Sequence, residues 1–264
     1  MHAERFESAL WQTSSLLLEK DGEAVLVDPC ISREEVARIA ARVDELGARV
    51  VAVLATHADW DHVCGIAAFP DAEAAMGEAS AARVESGEPW ERIRAAAAEY
   101  GIEVAGEPRV DRRLQVGRAH RVGPFTVDTL PLPGHTPDGV GFRIRELDLL
   151  AVGDHLSTIE FPFASSPAAY RATLAGLIEL LRRDPPARVV PGHGPEHTAA
   201  EAIEVTHEDL DYLWRLHDAV LGDGEPPQPP RAASDDPMPM LAANAEAQRR
   251  ELEAGAPSGA PASE

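Results

Sequence analysis

Short apolar runs and helical periodicity alternate through the first part of the chain. Ser15-Leu16-Leu17-Leu18-Glu19 and Ala24-Val25-Leu26-Val27-Asp28-Pro29 flank a turn at Asp21-Gly22, which predicts a strand pair. Ser32 followed by Glu35 has capping-box spacing, and Val36, Ile39, Ala40, Val43 and Leu46 then recur at helical spacing as far as Gly47. Val50-Val51-Ala52-Val53-Leu54-Ala55 is β-branched-rich and almost uniformly apolar, the pattern of a strand buried on both faces. The order predicts a strand-helix-strand unit.

Residues 72–100 are rich in Ala and Glu with a break at Ser86-Gly87-Glu88-Pro89, and predict two helices closed by Gly101. Four strand-like stretches follow between turn residues, at 113–116, 125–130, 140–144 and 147–152. Leu174, Leu177, Ile178 and Leu181 place a helix over 170–183, and Arg188-Val189-Val190 makes a last short strand. A helix over 199–221 carries Ile203, Leu210, Leu213, Trp214 and Val220 on one face. From Gly222 onward eight prolines alternate with Ala, Ser and acidic residues. Such a stretch buries too little apolar surface to offset its ordering entropy. The expected organisation is one domain over 1–221 and a linker with a mobile tail over 222–264. A short helix over 240–253 is expected to be solvated rather than docked.

Composition narrows the partners. The chain has 264 residues, 44% of them hydrophobic, enough for a sizeable core. With 45 acidic against 24 basic residues the formal net charge is -21. That field repels nucleic acid and anionic membranes, leaving a small-molecule substrate as the expected partner; oligomeric state is open. Cys30 and Cys64 form no CxxC pair, and no long apolar segment opens the chain, so a reducing, cytoplasmic setting is expected.

The chemistry concentrates after the buried strand, in Thr56-His57-Ala58-Asp59-Trp60-Asp61-His62. Two imidazoles and two carboxylates this close are poorly paired unless a cation sits among them. Pro133-Gly134-His135, Gly153-Asp154-His155 and Pro191-Gly192-His193 follow, each at a predicted strand end beside a glycine, where a scaffold gathers catalytic groups from distant segments. Asp28 ends its own strand, either facing the cluster from beneath or opening a turn. Cys64 is expected to pack rather than ligate, and His217 to sit in the core; Trp60 either lines the pocket or packs beneath the loop, and His155 either points into the pocket or bonds solvent or backbone.

In these motifs and their order the chain resembles the metallo-β-lactamase superfamily over roughly residues 10 to 220. The resemblance implies an α/β fold, a four-layer αβ/βα sandwich with metals at one edge. It also implies a ligand set: His57, Asp59 and His135 around a first ion, Asp61, His62 and His193 around a second, and Asp154 touching both. Two zinc ions (Zn2+) are the first expectation. The implied reaction is hydrolysis of an ester-like bond, in a lactone, thioester or phosphodiester, by a metal-bound hydroxide. Asp61 would hold the nucleophile and accept a proton. Asp59 departs from the family's usual His. A carboxylate stops roughly 2 Å short of an imidazole nitrogen, so the loop must move inward or the first ion is weakly held. Its charge also favours iron or manganese. Relatives with a carboxylate here reduce oxygen or nitric oxide at iron, but carry a flavin domain for which this chain has no room. The alternatives are therefore an iron-dependent redox enzyme of the same fold, or a non-catalytic metal-binding scaffold.

Overall fold

Apolar side chains on both faces of a strand need cover on both faces, and two sheets with helices outside them provide it. The computed structural model describes residues 1–231 and 238–255. The first half contains β1 (His2–Glu7), β2 (Ser14–Lys20), β3 (Glu23–Val27), α1 (Arg33–Glu45), β4 (Arg49–Ala55), α2 (Trp60–Val63), β5 (Glu73–Gly77), α3 (Glu78–Ser86), α4 (Glu88–Tyr100) and β6 (Arg112–Leu114). Strands β1 to β6 lie in chain order in one sheet, antiparallel from β1 to β3 and parallel from β3 to β6. The second half adds β7 (Ala119–Val122), β8 (Phe125–Pro131), β9 (Val140–Ile144), β10 (Leu149–Ala151), α5 (Pro167–Arg183), β11 (Arg188–Val190), α6 (Ala199–Leu221) and α7 (Met238–Gly255). Its sheet runs β11-β10-β9-β8-β7, with only β10 and β11 parallel.

Side chains alternate across each strand, so one strand feeds two cores. Leu16, Leu18, Val25, Val27 and Leu54 meet Phe125, Val127 and Phe142 between the sheets. Leu17, Leu26 and Val53 face the other way, under Val36 and Ile39 of α1 and Ile93 of α4. Leu150 and Val189 of the second sheet are covered by Leu174 and Leu177 of α5 and Leu213 of α6. This is the four-layer αβ/βα sandwich expected from the sequence. Its polar strand ends collect at one edge.

Several local expectations need correction. Glu73–Gly77 is a parallel strand, not the start of a helix. Ala74, Ala75 and Met76 are fully buried between β4 and β6, and pairing there outweighs alanine's helix preference. His2–Glu7 and Ala119–Val122 are edge strands whose polar side chains hid them. The segment assigned to a mobile tail is partly ordered: α7 docks on α5 and α6 through Leu241 and Ala245. Buried Asn244 accepts from the Ala164 N–H and donates to the Pro162 carbonyl, both at 2.8 Å, which anchors the helix despite its modest apolar face. Of the assigned linker and tail, 232–237 and 256–264 lie outside the described residues. Among the described residues no helix is long and apolar enough to cross a membrane.

Candidate metal centre

The seven residues singled out from the sequence meet at the sheet edge. His57 leaves the end of β4, Asp59 is the N-cap residue of α2, and Asp61 and His62 belong to α2. His135 comes from the β8–β9 connection, Asp154 follows β10 and His193 follows β11. The Asp154 carboxylate is the hub: its oxygens lie 3.6 Å from His57 Nε2, 3.0 Å from His62 Nε2, 3.1 Å from His135 Nε2 and 3.3 Å from His193 Nε2. Asp59 Oδ2 is 3.3 Å from His135 Nε2, and Asp61 Oδ2 is 3.5 Å from His193 Nε2. Two overlapping groups result, His57, Asp59 and His135 on one side and Asp61, His62 and His193 on the other. Asp59 does reach the cluster, its side chain being free of any capping bond to α2.

Every ring is fixed from behind. His135 Nδ1 is 2.9 Å from the Phe163 carbonyl and His193 Nδ1 is 3.0 Å from the Trp11 carbonyl, so both Nδ1 atoms donate. The Thr56 hydroxyl donates to Asp28 Oδ2 at 2.6 Å and is left to accept from His57 Nδ1 at 3.1 Å. The same Asp28 oxygen accepts from His62 Nδ1 at 3.0 Å. All four rings therefore donate outward from Nδ1 and aim Nε2 inward, the orientation of metal-bound histidine. Asp28 underlies the cluster rather than opening a turn.

The donor set fits divalent ions. Buried His57 Nε2 has no hydrogen-bond partner, and buried His62 Nε2 and Asp154 Oδ1 have only each other at 3.0 Å, a costly state unless something else binds them. A β-carbon at Gly192 would overlap Asp154 Oδ1, so glycine keeps that space open. Burial opposes charge on His135 and His193, yet Asp154 and its neighbouring carboxylates override it and raise them to about 9 and about 10. Asp154 is itself held well below the usual carboxylate range by the four surrounding histidines, against its burial. A field that draws protons this strongly onto imidazoles draws cations too.

Residues the motifs did not flag complete the site. The Arg83 guanidinium bonds Asp59 Oδ1 at 2.9 Å, Asp138 Oδ1 at 2.7 Å and Glu88 Oε2 at 3.1 Å. Asp138 also accepts from the Ala58 N–H inside the motif loop. Arg83 lies in a helix whose sequence reads as ordinary surface, so no local signal marks it. Cys64 is buried with its Sγ 3.5 Å from the Ile31 carbonyl, and burial pushes its thiol well above the usual value, as for packing cysteine. His155 packs on Tyr170, 4.5 Å between ring centres, and Trp60 packs on Trp11 and Tyr100. His217 is half-buried against Trp214, and its Nδ1 has no partner.

Over the cluster opens a cavity of about 750 Å³, the size of a small-molecule site. Asp59, Asp61, His135, Asp154 and His193 form its floor; Trp11, Tyr100, Phe161, Phe163 and Met240 contribute apolar walls.

Comparison with known proteins agrees with this fold. The profile of the metallo-beta-lactamase superfamily matches residues 9–193. The probable metallo-hydrolase YqgX of Bacillus subtilis is 26% identical over 190 residues, 70% of this chain and 86% of that protein. A hydroxyacylglutathione hydrolase of Jannaschia is 28% identical over 213 residues, 78% and 73% of the two chains. The metallo-beta-lactamase family protein TTHA1429 from Thermus thermophilus superposes with a TM-score of 0.73 at 20% identity, over 97% of this chain and 94% of that one. TTHA1623 in a di-iron-bound form gives a TM-score of 0.58 at 29% identity, over 75% and 96%.

Proposed function

The chain belongs to the metallo-β-lactamase superfamily as one of its metallo-hydrolases, and we propose that it cleaves an ester-like bond of a small molecule over two divalent ions, zinc being the first choice. The observation that carries this reading is the convergence of four inward-facing imidazole Nε2 atoms on the Asp154 carboxylate. His57, Asp59 and His135 would hold one ion, Asp61, His62 and His193 the other, and Asp154 both. Bound there, such ions supply Lewis acidity, making water acidic near neutral pH and polarising an acyl or phosphoryl oxygen.

The protein's own part is orientation and proton handling. Asp61 Oδ2 faces the cavity floor with the Thr13 hydroxyl 3.4 Å away as a donor. It is placed to take the proton of the attacking water and return it as the bond to the leaving oxygen or sulfur breaks. A new carbon–oxygen bond replaces the one cleaved, and the leaving group departs protonated. Trp11, Phe161 and Phe163 wall the site against bulk water. The two unpaired, buried thiols, Cys30 and Cys64, support a reducing, cytoplasmic setting.

Metal analysis of purified protein with assays on esters, thioesters, lactones and phosphodiesters tests the proposal. Turnover that disappears in chelator, and a kcat at least about a hundredfold lower in His62→Ala and Asp154→Ala, are expected. Full activity in metal-free protein, or unchanged turnover in either variant, would overturn it. Redox chemistry at iron is the second reading, favoured by Asp59 and the di-iron neighbour; oxygen consumption by iron-loaded protein with no ester turnover would select it.

A further inference from the structure

Among the described residues, the cavity wall contains no arginine or lysine. Residues 232–237 and 256–264 contain none either. Beyond the ligand cluster an entering molecule meets carboxylates and apolar surface. Glu99 sits beside Tyr100, and Glu160 Oε1 lies 3.9 Å from His193 Nδ1. Trp11 and Tyr100, 40% and 39% exposed, stand edge to face at 5.6 Å on the same wall.

The guanidiniums that touch wall residues are already engaged. Arg83 is held by Asp59, Asp138 and Glu88, and Arg231 by Glu208 and Asp209. Two divalent ions would bring four positive charges, and the carboxylates of Asp59, Asp61 and Asp154, with Asp28 beneath His62, match all four. No excess positive charge remains to meet an anion, and Glu99 and Glu160 line the same cavity, on a chain of net charge -21 whose long-range field repels anions before they arrive. A phosphate or carboxylate handle on a substrate would enter this cavity without a counter-charge and lose its hydration.

Resting on the hydrolase reading, we propose that the cavity accepts electrically neutral esters, thioesters or lactones with apolar acyl groups and turns away coenzyme A and glutathione conjugates and phosphodiesters. The acyl chain lies against Trp11, Phe161, Phe163 and Met240. The site thereby differs in substrate charge from a hydrolase of glutathione thioesters such as the Jannaschia relative.

A matched pair tests this with the metal-loaded full chain. Butyryl-N-acetylcysteamine and butyryl-coenzyme A share the acyl group and the thioester bond and differ in charge. The neutral compound should have a kcat/KM at least about tenfold higher at low salt. Added salt should narrow the gap by speeding only the anionic substrate, since screening acts on charge. Glu99→Lys, outside the ligand set, should narrow it by at least about threefold for the same reason. Equal or faster turnover of the coenzyme A thioester at low salt overturns the proposal. If neither thioester is hydrolysed, the hydrolase reading fails, and calorimetric titration with the inert S-butyl thioethers of the same two thiols decides the charge selection by itself. Tighter binding of the neutral thioether supports it; equal or weaker binding, or none, overturns it.

Discussion

Arg83 Nη2 lies 2.9 Å from Asp59 Oδ1, while the other oxygen of that carboxylate faces His135 Nε2 at 3.3 Å. Where relatives are expected to place a neutral imidazole, this chain pairs a carboxylate with a guanidinium, so the charge added by Asp59 is matched one residue away from the cluster. Arg83 positions Asp59 and, through Asp138, the Ala58 backbone of the same loop. In the proposed two-ion centre, Arg83→Met should weaken the ion at His57, Asp59 and His135 by about tenfold to a hundredfold and leave the other in place. Stepwise metal titration of apoprotein reads the two sites separately. In an Asp59→His background the same Arg83 change should cost little, because an imidazole needs no counter-charge. Equal loss in both backgrounds would show that Arg83 only supports the fold.

Asp28 accepts from the Thr56 N–H, the Thr56 hydroxyl and His62 Nδ1, and so sets the tautomer of two rings at once. Its φ of 47° lies in the left-handed region, where Asn is as well tolerated as Asp. Asp28→Asn should therefore keep the backbone while lowering metal affinity about tenfold to a hundredfold. Thr56→Val removes the hydroxyl's bonds to Asp28 and His57 but keeps the bond from His62 Nδ1 to Asp28, and should cost less. An affinity unchanged in Asp28→Asn would mean that the carboxylate beneath the cluster does not orient its ligands.

Asn244 ties α7 to the loop that carries Phe163, whose carbonyl fixes His135. Asn244→Leu fills the same space but leaves the Ala164 N–H and Pro162 carbonyl unpaired in the interior, an expected loss of about 1–3 kcal/mol. Urea unfolding measures that loss. Metal affinity should fall with it, since the Phe163 carbonyl loses its support; stability lost without any change in affinity would separate α7 from the site.

The layered fold was legible because its cause is local. Val50 to Ala55 shows strand burial on both faces directly in its composition, and Ser32 with Glu35 forms the capping box that the spacing announced. That these seven side chains would meet was legible because they are metal-binding residue types just after strands, three of them beside glycines. What escaped depends on neighbours distant in sequence. Ala74 and Ala75 are helix formers that strand only because β4 and β6 flank them. Arg83 meets Asp59 across 24 residues, and the Trp11 carbonyl meets His193 across 182. No window of sequence contains both partners of such a contact.

Glu35 links acid stability to the site. Its carboxylate accepts from the Ser8 hydroxyl and from the N–H groups of Ala9, Ile31 and Ser32, at 2.8 to 3.1 Å. Burial raises its pKa, but these donors outweigh burial and leave it below the ordinary value of 4.5. The folded chain thus holds the Glu35 proton less tightly than the unfolded chain. Its contribution to stability is complete above the unfolded value and is lost as pH falls through the depressed folded value. Glu35→Gln removes that contribution, so the stability gap between the parent chain and the variant should be widest near about pH 7 and shrink below about pH 4. Urea midpoints of the two proteins at both pH values give the gap directly, with every shared titration cancelling in the difference. The anchored turn runs from Ser8 to Thr13, joined by the Ser8 N–H to the Thr13 carbonyl, and carries the Trp11 carbonyl that holds His193. Glu35→Gln should therefore also weaken the ion near His193 at neutral pH. A stability gap that is constant or grows towards acid would contradict the sign of the Glu35 shift.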